Sequence, residues 1–493
     1  MCKTSLHSLS YFLLLILSLP SCSTTRNPYP PTNEDHEIEI LIGTFRGNEQ
    51  RNYYGTGDPG GLEIIWKFYL GEGVTVISRA AGSRIWAGAG WTGQALLVKE
   101  GSEIFLIQGA YDHHLRKINA ANGTEVWKYL FDDVVKGTGS LWYNPYCQDY
   151  ENSILIFQGS RLGVDNFLDS KHVPSFRSVS YFTGKESWRL DVKWTDSYSR
   201  DADGSCLVIN DTIYMALENS LLTVINTDPS MTAIKDSMLQ PQILKEVPLY
   251  TNEDVIAHKN NIVTESSPAR LGDHLYIASG SGHVYGYNLL TGEIDWDFYI
   301  GSDLDGSVVI TSDSCILVPV EKQYIEGNGG VFKLDPSSDP ENSVVWFLAV
   351  EDTLYEGWEG GVIGTPGIND LYIAEGDPRL SAISALDGFL YIVRHDMADT
   401  LKRNPGPDGK TMYPAPTLIQ KFEIGPSISS PVITSNKVIA AGYNGIYLFE
   451  YDNTANFRSL AHYASAFEAS PVIWNNNIYI ASRDGYLYCF GTK

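Results

Sequence analysis

The chain has 493 residues, of which 19% are charged and 12% aromatic, with 45 Gly, 30 Tyr and 11 Trp. Such a length holds about three ordinary domains or one large repeat array, and this composition favours short strands over helical bundles. The formal net charge of -24 repels phosphate backbones and anionic headgroups, which disfavours nucleic-acid binding and leaves a cationic partner compatible.

The N-terminus carries Lys3, an apolar run from Tyr11 to Leu19, and then Pro20-Ser21-Cys22. A run this short fits the hydrophobic region of an export signal and not a bilayer-spanning helix. Small residues before the cysteine resemble the bacterial lipobox, so residues 1–21 are expected to be a lipoprotein-type signal peptide with Cys22 as the lipidation site. Ordinary signal cleavage nearby is the alternative. Residues 22–61, rich in Pro, Asn and Thr, are expected to be a flexible tether, with the folded body at 62–493.

Beyond residue 61 one phrase recurs. Asn122-Gly123-Thr124-Glu125-Val126-Trp127, Thr183-Gly184-Lys185-Glu186-Ser187-Trp188 and Thr291-Gly292-Glu293-Ile294-Asp295-Trp296 each place a glycine four residues before a tryptophan, after an alternating apolar strand. Asp/Asn-Gly turns such as Asp484-Gly485 and Asn444-Gly445 join the strands ahead of it. The unit reads as a four-stranded meander closed by hairpin turns. About eight units start near Gln94, Ser140, Ser205, Ser267, Ser307, Thr365, Ser430 and Ser470, a number typical of radial β-propellers; seven is the alternative count. The third unit lacks the Trp turn and the sixth is irregular. Insertions at Ser160–Phe176, Thr227–Glu246 and Asp396–Pro416 are expected to be surface loops. The last unit stops after three strands, while Leu62 to Leu70, carrying Trp66, looks like an orphan fourth. Pairing the two would close the ring and remove the exposed edge.

Cys147, Cys206, Cys315 and Cys489 are far apart and show no C-x-x-C spacing, so a zinc or redox motif is not expected; buried free thiols are the simpler reading, and no disulfide pairing follows from spacing. Trp66, Trp127, Trp188, Trp296 and Trp346 are read as structural joints between blades, since buried Trp contributes a large apolar area.

Aligning the unit starts exposes a variable column two residues earlier: Thr92, Thr138, Asp203, Glu265, Asp305, Ile363, Ile428 and Glu468. The innermost strand of a blade borders the central channel, so acidic members would gather at one mouth. Asp203, Glu265, Asp305 and Glu468 are therefore the candidate partner-binding residues. Asp201, Asp203, Asp303 and Asp305 are weak Ca²⁺ candidates, because Asp-x-Asp-Gly also forms simple Asx turns and lacks EF-hand spacing. His113-His114 reads as a surface turn, since adjacent strand residues face opposite ways. Nucleophile elbow, zincin and Walker motifs are all missing from the sequence, so no catalytic residue is assigned.

The Ser-Pro unit starts, the Gly-Tyr-Leu-Tyr strand and the Gly-to-Trp turn resemble the quinoprotein (PQQ-like) β-propeller repeat, related to WD40/YVTN-like repeats. The best matches run from Ser267-Pro268 to Trp296, Ser430-Pro431 to Glu450 and Ser470-Pro471 to Phe490. With its lipobox and single-propeller length, the chain looks most like the lipoprotein propeller subunit of the outer-membrane β-barrel assembly machinery and its relatives. That resemblance implies a monomeric, non-enzymatic scaffold at the outer membrane, facing the periplasm or exposed at the surface, with envelope proteins or basic peptide segments as partners and no cofactor. The alternatives are a PQQ-dependent sugar or alcohol dehydrogenase, which the lack of a Cys-Cys pair opposes, and a glycan-binding propeller using Trp142, Tyr143 and Tyr146.

Overall fold

The structure, a computed structural model, describes residues 37–493. The expected signal peptide, Cys22 and the start of the expected tether lie outside the described residues. Among the described residues no helix is long and apolar enough to cross a membrane.

Eight antiparallel four-stranded sheets follow one another around a ring. Blade 1 consists of Leu96–Glu100, Glu103–Gly109, His114–Asn119 and Glu125–Leu130, and the next six blades repeat that meander through Phe457–Tyr463. The eighth takes three strands from the C-terminus, Val472–Trp474, Asn477–Ala481 and Tyr486–Gly491, and its outer strand, Glu63–Tyr69, from the N-terminal side. That pairing runs from Glu63 opposite Gly491 to Tyr69 opposite Tyr486. Closure therefore depends on the two chain ends meeting, and it removes the edge an open sheet would expose.

The Gly-to-Trp phrase explains how neighbouring blades lock. Trp66 of blade 8 donates its indole N–H to Ala120 O of blade 1 at 2.9 Å, and Trp127 of blade 1 donates to Tyr181 O of blade 2 at 2.9 Å. Each ring lies over the turn glycine of the next unit. A Cβ on Gly123 would stand 2.8 Å from Trp66, and one on Gly184 would stand 2.8 Å from Trp127. Both glycines also have positive φ, +74° and +67°, so two constraints hold each position at glycine. Trp296 reaches Ser338 O at 3.1 Å, and Trp346 reaches His395 O at 3.0 Å. Trp188 instead sinks inside, 5.7 Å from Phe157 and 5.8 Å from Phe176. Trp188→Ala is expected to cost about 3–5 kcal/mol, the usual range for emptying a buried Trp site. Comparing thermal midpoints checks this, and a wild-type midpoint would refute it.

The unit-start hydroxyls have a structural role as well. Ser205 N–H donates to Ser267 Oγ, Ser267 N–H to Ser307 Oγ, Ser307 N–H to Thr365 Oγ1 and Thr365 N–H to Ser430 Oγ, at 2.9, 2.9, 3.0 and 2.9 Å. The recurring Ser/Thr satisfies a buried backbone donor of the preceding blade.

Several expectations are corrected. Residues 37–61 are not a free tether, and the folded body begins at least at Glu37. Ile38–Ile42 pairs antiparallel with the inner strand of blade 1, and Gly55–Thr56 pairs parallel with that of blade 8. Between them the chain crosses the channel. Asp396–Pro416 is not an irregular loop: Phe389–Pro405 and Met412–Glu423 form one long bulged hairpin. Thr227–Glu246 contains a small hairpin, Ala233–Lys235 with Met238–Gln240. The four cysteines follow the simpler reading as free thiols, Cys206, Cys315 and Cys489 buried and Cys147 half-buried.

Candidate functional site

Each inner strand runs from one mouth of the channel toward the other, so residues before it and residues within it lie at different depths. At the far end the crossing segment forms a plug. Arg46 and Arg51 are fully buried there. Arg46 donates to Arg51 O at 3.1 Å, Pro431 O at 3.1 Å and Pro366 O at 3.0 Å. Arg51 donates to Pro268 O, Thr44 Oγ1, Phe45 O and Ser205 O at 2.9, 2.7, 2.8 and 3.1 Å. Leu141 N–H donates to Gly43 O, Ile310 N–H to Gln50 O and Ile473 N–H to Tyr54 O, which extends the plug to blades 2, 5 and 8. The channel is thereby closed at that end.

The near mouth is a cup of about 770 Å³. Glu265, Asp303, Asp305 and Glu321 line it from blades 4 and 5, Ile363 and Ile428 line it ahead of blades 6 and 7 and Trp91 ahead of blade 1, and Trp86, Tyr111, Tyr198, Tyr355 and Tyr443 contribute aromatic surface. Two hairpins outside the blades supply part of the rim: Glu72–Ser78 with Gly82–Ala87 carries Trp86, and Asp352–Tyr355 with Trp358–Gly360 carries Tyr355. Trp86 sits 5.1 Å from Tyr111, and Tyr355 sits 4.9 Å from Tyr443.

The acidic column divides by neighbours. Asp201 pairs with Arg161 at 2.7 Å and accepts Leu162 N–H at 2.9 Å, so its charge is fully engaged. Asp203 faces the Lys136 ammonium. Glu468, across the cup, is held by Arg483 at 2.9 Å and by the Tyr443 hydroxyl at 3.0 Å. Glu265, Asp303, Asp305, Glu321 and Glu218 have no ion-pair partner within reach among the described residues. Asp303 Oδ2 accepts from Asn261 Nδ2 at 2.9 Å, while no donor reaches the buried Asp303 Oδ1 or Glu218 Oε1.

Burial and crowding set the protonation of this group. Burial, then the repulsion of Asp305, Asp203 and Asp201, pushes Glu265 up to about 8 against the pull of Lys136. Burial and neighbouring carboxylates raise Asp303, Glu321 and Glu218 well above the usual range. Burial raises Asp305 as well, against the hydrogen bonds it shares with Glu321 and Asp303 and the pull of Lys136. For Lys136, burial opposes the charge, yet Asp203, Glu265 and Glu218 outweigh it and hold the ammonium well above its ordinary value. Like charges at close range share protons when too few cations are present.

Asp203, Glu218 and Glu265 offer one oxygen each within 4.8 Å of one another, the one grouping among the described residues that a metal ion could span. It differs from the set expected from spacing: Asp201 is committed to Arg161, and Glu218 and Glu265 take the place of Asp303 and Asp305. Lys136, Glu218 and Glu321 were not found from sequence. Glu218 and Glu321 follow the second strands of blades 3 and 5, so aligning second-strand ends as well as unit starts would have exposed them.

Trp142 is not a loop platform. It lies in the inner strand Ser140–Tyr143 of blade 2, 9% exposed, between Tyr146 at 6.3 Å and Phe157 at 6.0 Å. His113 occupies the turn and is bonded to Val74 O, while His114 opens the strand His114–Asn119 and is bonded to Asp112.

No family model matches the sequence, and no curated protein does. Solved structures do resemble it. BamB from Moraxella catarrhalis aligns over 88% of this chain and 98% of its own, at TM-score 0.51 and 11% identity. The quinohemoprotein alcohol dehydrogenase ADHIIG from Pseudomonas putida HK5 aligns over 92% and 76%, at TM-score 0.54 and 12% identity. Identities this low carry the fold and nothing finer. With eight meander blades, a strand-swapped closure and these two neighbours, the chain has an eight-bladed β-propeller fold.

Proposed function

We propose that this propeller is a non-enzymatic scaffold of the cell envelope, lipid-anchored at Cys22 to the outer membrane, that binds other proteins through its open mouth. The observation that carries the reading is the one-sided channel: its far end is closed by the chain's own plug, and two hairpins and a surplus of carboxylates converge on the near end. The likeness to BamB and the export-type N-terminus support it.

The same cup opposes the dehydrogenase alternative. Pyrroloquinoline quinone is itself a polycarboxylate, and the cup would meet it with unpaired carboxylates. The cations nearby are already engaged, Lys136 with Asp203, Arg161 with Asp201 and Arg483 with Glu468. The residues present do not fit the quinone, so no redox step is derived.

A photo-crosslinking residue placed at Tyr355, on the rim, is expected to capture an envelope protein, whereas one at Leu290, on an exposed outer turn, is not. Equal capture at both positions, or none at Tyr355, would refute docking at the mouth. Reconstitution with the quinone and Ca²⁺ is expected to give no dye reduction.

A further inference from the structure

The cup's chemistry narrows what it takes. Its acidic wall comes from two adjacent blades, with Glu265 ahead of the inner strand of blade 4, Asp303 and Asp305 ahead of that of blade 5, and Glu321 just past the second strand of blade 5. Among the described residues none of these four has a cation within ion-pair distance, and no amide, hydroxyl or cationic donor reaches Asp303 Oδ1, on a residue only 5% exposed. A buried carboxylate oxygen without a donor costs free energy that a charged donor from outside would recover.

The fold already shows which donor suits the place. Lys136, a tetrahedral ammonium, stands among Asp203, Glu265 and Glu218 and is stabilised in its charged form. The carboxylates approach from several strand ends instead of presenting one flat edge. That geometry fits three diverging N–H donors better than the planar fork of a guanidinium. Tyr198 and Trp86 add aromatic surface that an ammonium and its methylene stem can lie against. Because the Arg46 and Arg51 plug closes the far end, a guest must enter and leave by the same mouth, which excludes a threaded conduit.

We propose that this cup is a receptor for a primary ammonium group, carried either by a lysine of a partner protein or by a free polyamine. The proposal refines the docking surface described above and, for the lysine source, rests on that reading. Binding is linked to protons. The acidic wall faces Lys136, Asp201, Asp203 and Glu218, together with the hydroxyls of Tyr198 and Tyr324. An arriving cation favours the ionised carboxylates and releases the protons they share, so affinity rises with pH until the guest amine itself begins to lose its charge.

The test is titration calorimetry on the purified chain with four probes: acetyl-Gly-Gly-Lys-Gly-Gly-amide, the same peptide with arginine, spermidine, and calcium chloride. An ammonium probe is expected to saturate one site, to bind about tenfold more weakly in the Glu265→Gln/Asp303→Asn double variant, and to strengthen between about pH 6 and about pH 8. Heats measured in two buffers of different ionisation enthalpy should show proton release. Tighter binding of the lysine peptide assigns a protein source, and tighter binding of spermidine assigns a free polyamine. The proposal is overturned if neither ammonium probe binds, if the arginine peptide matches the lysine peptide, if Ca²⁺ binds more tightly than both, or if the double variant binds normally. Both substitutions keep side-chain shape and remove repulsion, and an unchanged or higher thermal midpoint confirms that the variant is folded. Failure to capture an envelope protein by crosslinking would leave spermidine binding intact, so the two readings fail separately.

Discussion

Arg51→Ala is expected to lower stability by about 3–5 kcal/mol, the range for stripping a buried charged group from its partners. Arg51 is fully buried, and its guanidinium serves four oxygen acceptors, two of them the unit-start carbonyls of Pro268 and Ser205. Removing it leaves those acceptors dry and unpaired, each at the cost of a lost charged hydrogen bond. It also unties the plug from blades 3 and 4. Arg51→Lys should recover less than half of the loss, because one ammonium cannot span the same fork of acceptors. Arg84→Ala, on an exposed hairpin, should change stability by no more than about 0.5 kcal/mol. Thermal midpoints report the stability difference, and limited proteolysis within residues 37–61 reports release of the plug. An Arg51→Ala protein that melts with the wild type and resists cleavage would show the plug to be dispensable.

The second large effect is an unusual dependence of stability on pH. The protein should be most stable near about pH 5 and lose stability as pH rises toward about 8. Glu265 titrates near 8 in the folded protein against an ordinary 4.5. The folded state therefore holds more protons than the unfolded one between those values, and stability falls as pH rises through that window. Asp303, Glu321 and Glu218 shift in the same direction. His283 adds to the trend: although burial opposes its charge, Asp297 and Asp254 hold its pKa up, so its contribution also fades as pH rises. The acid limb has the opposite origin. Burial works against ionisation of Asp370, but His395 and Ser312 bring it down to about 2, so its contribution is lost as pH falls below about 4. Glu265 is partly open to the cup, which screens its share to the order of 1–3 kcal/mol across the window. Glu265→Gln should flatten the alkaline limb and raise the midpoint at about pH 8, while leaving the acid limb alone. A stability curve that climbs from about pH 5 to about pH 8 would contradict the shared-proton picture.

The two effects come from opposite ends of one channel and differ in how legible they were. The acidic mouth could be read because blades repeat: once unit starts are aligned, Asp203, Glu265, Asp305 and Glu468 fall in a single column, and a closed ring brings a column to one mouth. What the column could not reveal was how each charge is answered. Glu468 finds Arg483 from a hairpin turn, Asp201 finds Arg161, and Asp203 finds Lys136, all partners from loops and turns elsewhere in the chain. Such pairings depend on side-chain reach between separate loops, and no local pattern encodes them.

The plug was misread for a related reason. Residues 37–61 have the Gly, Asn and charged composition of a tether, and local composition is the only signal a single segment offers. Their order comes from outside, from unpaired carbonyls of Ser205, Pro268, Pro366 and Pro431 that face the channel and accept from Arg46 and Arg51. By itself the sequence determined the propeller, a count of about eight repeats with seven as the alternative, and its strand-swapped closure, because period-two strands, Asp/Asn-Gly turns and the Gly-to-Trp joint are local and recur in register. Only the tertiary structure decided that one mouth is closed and the other open, and which carboxylates remain without a cation. Those features are sums over all eight blades, and they exist only once the ring has formed.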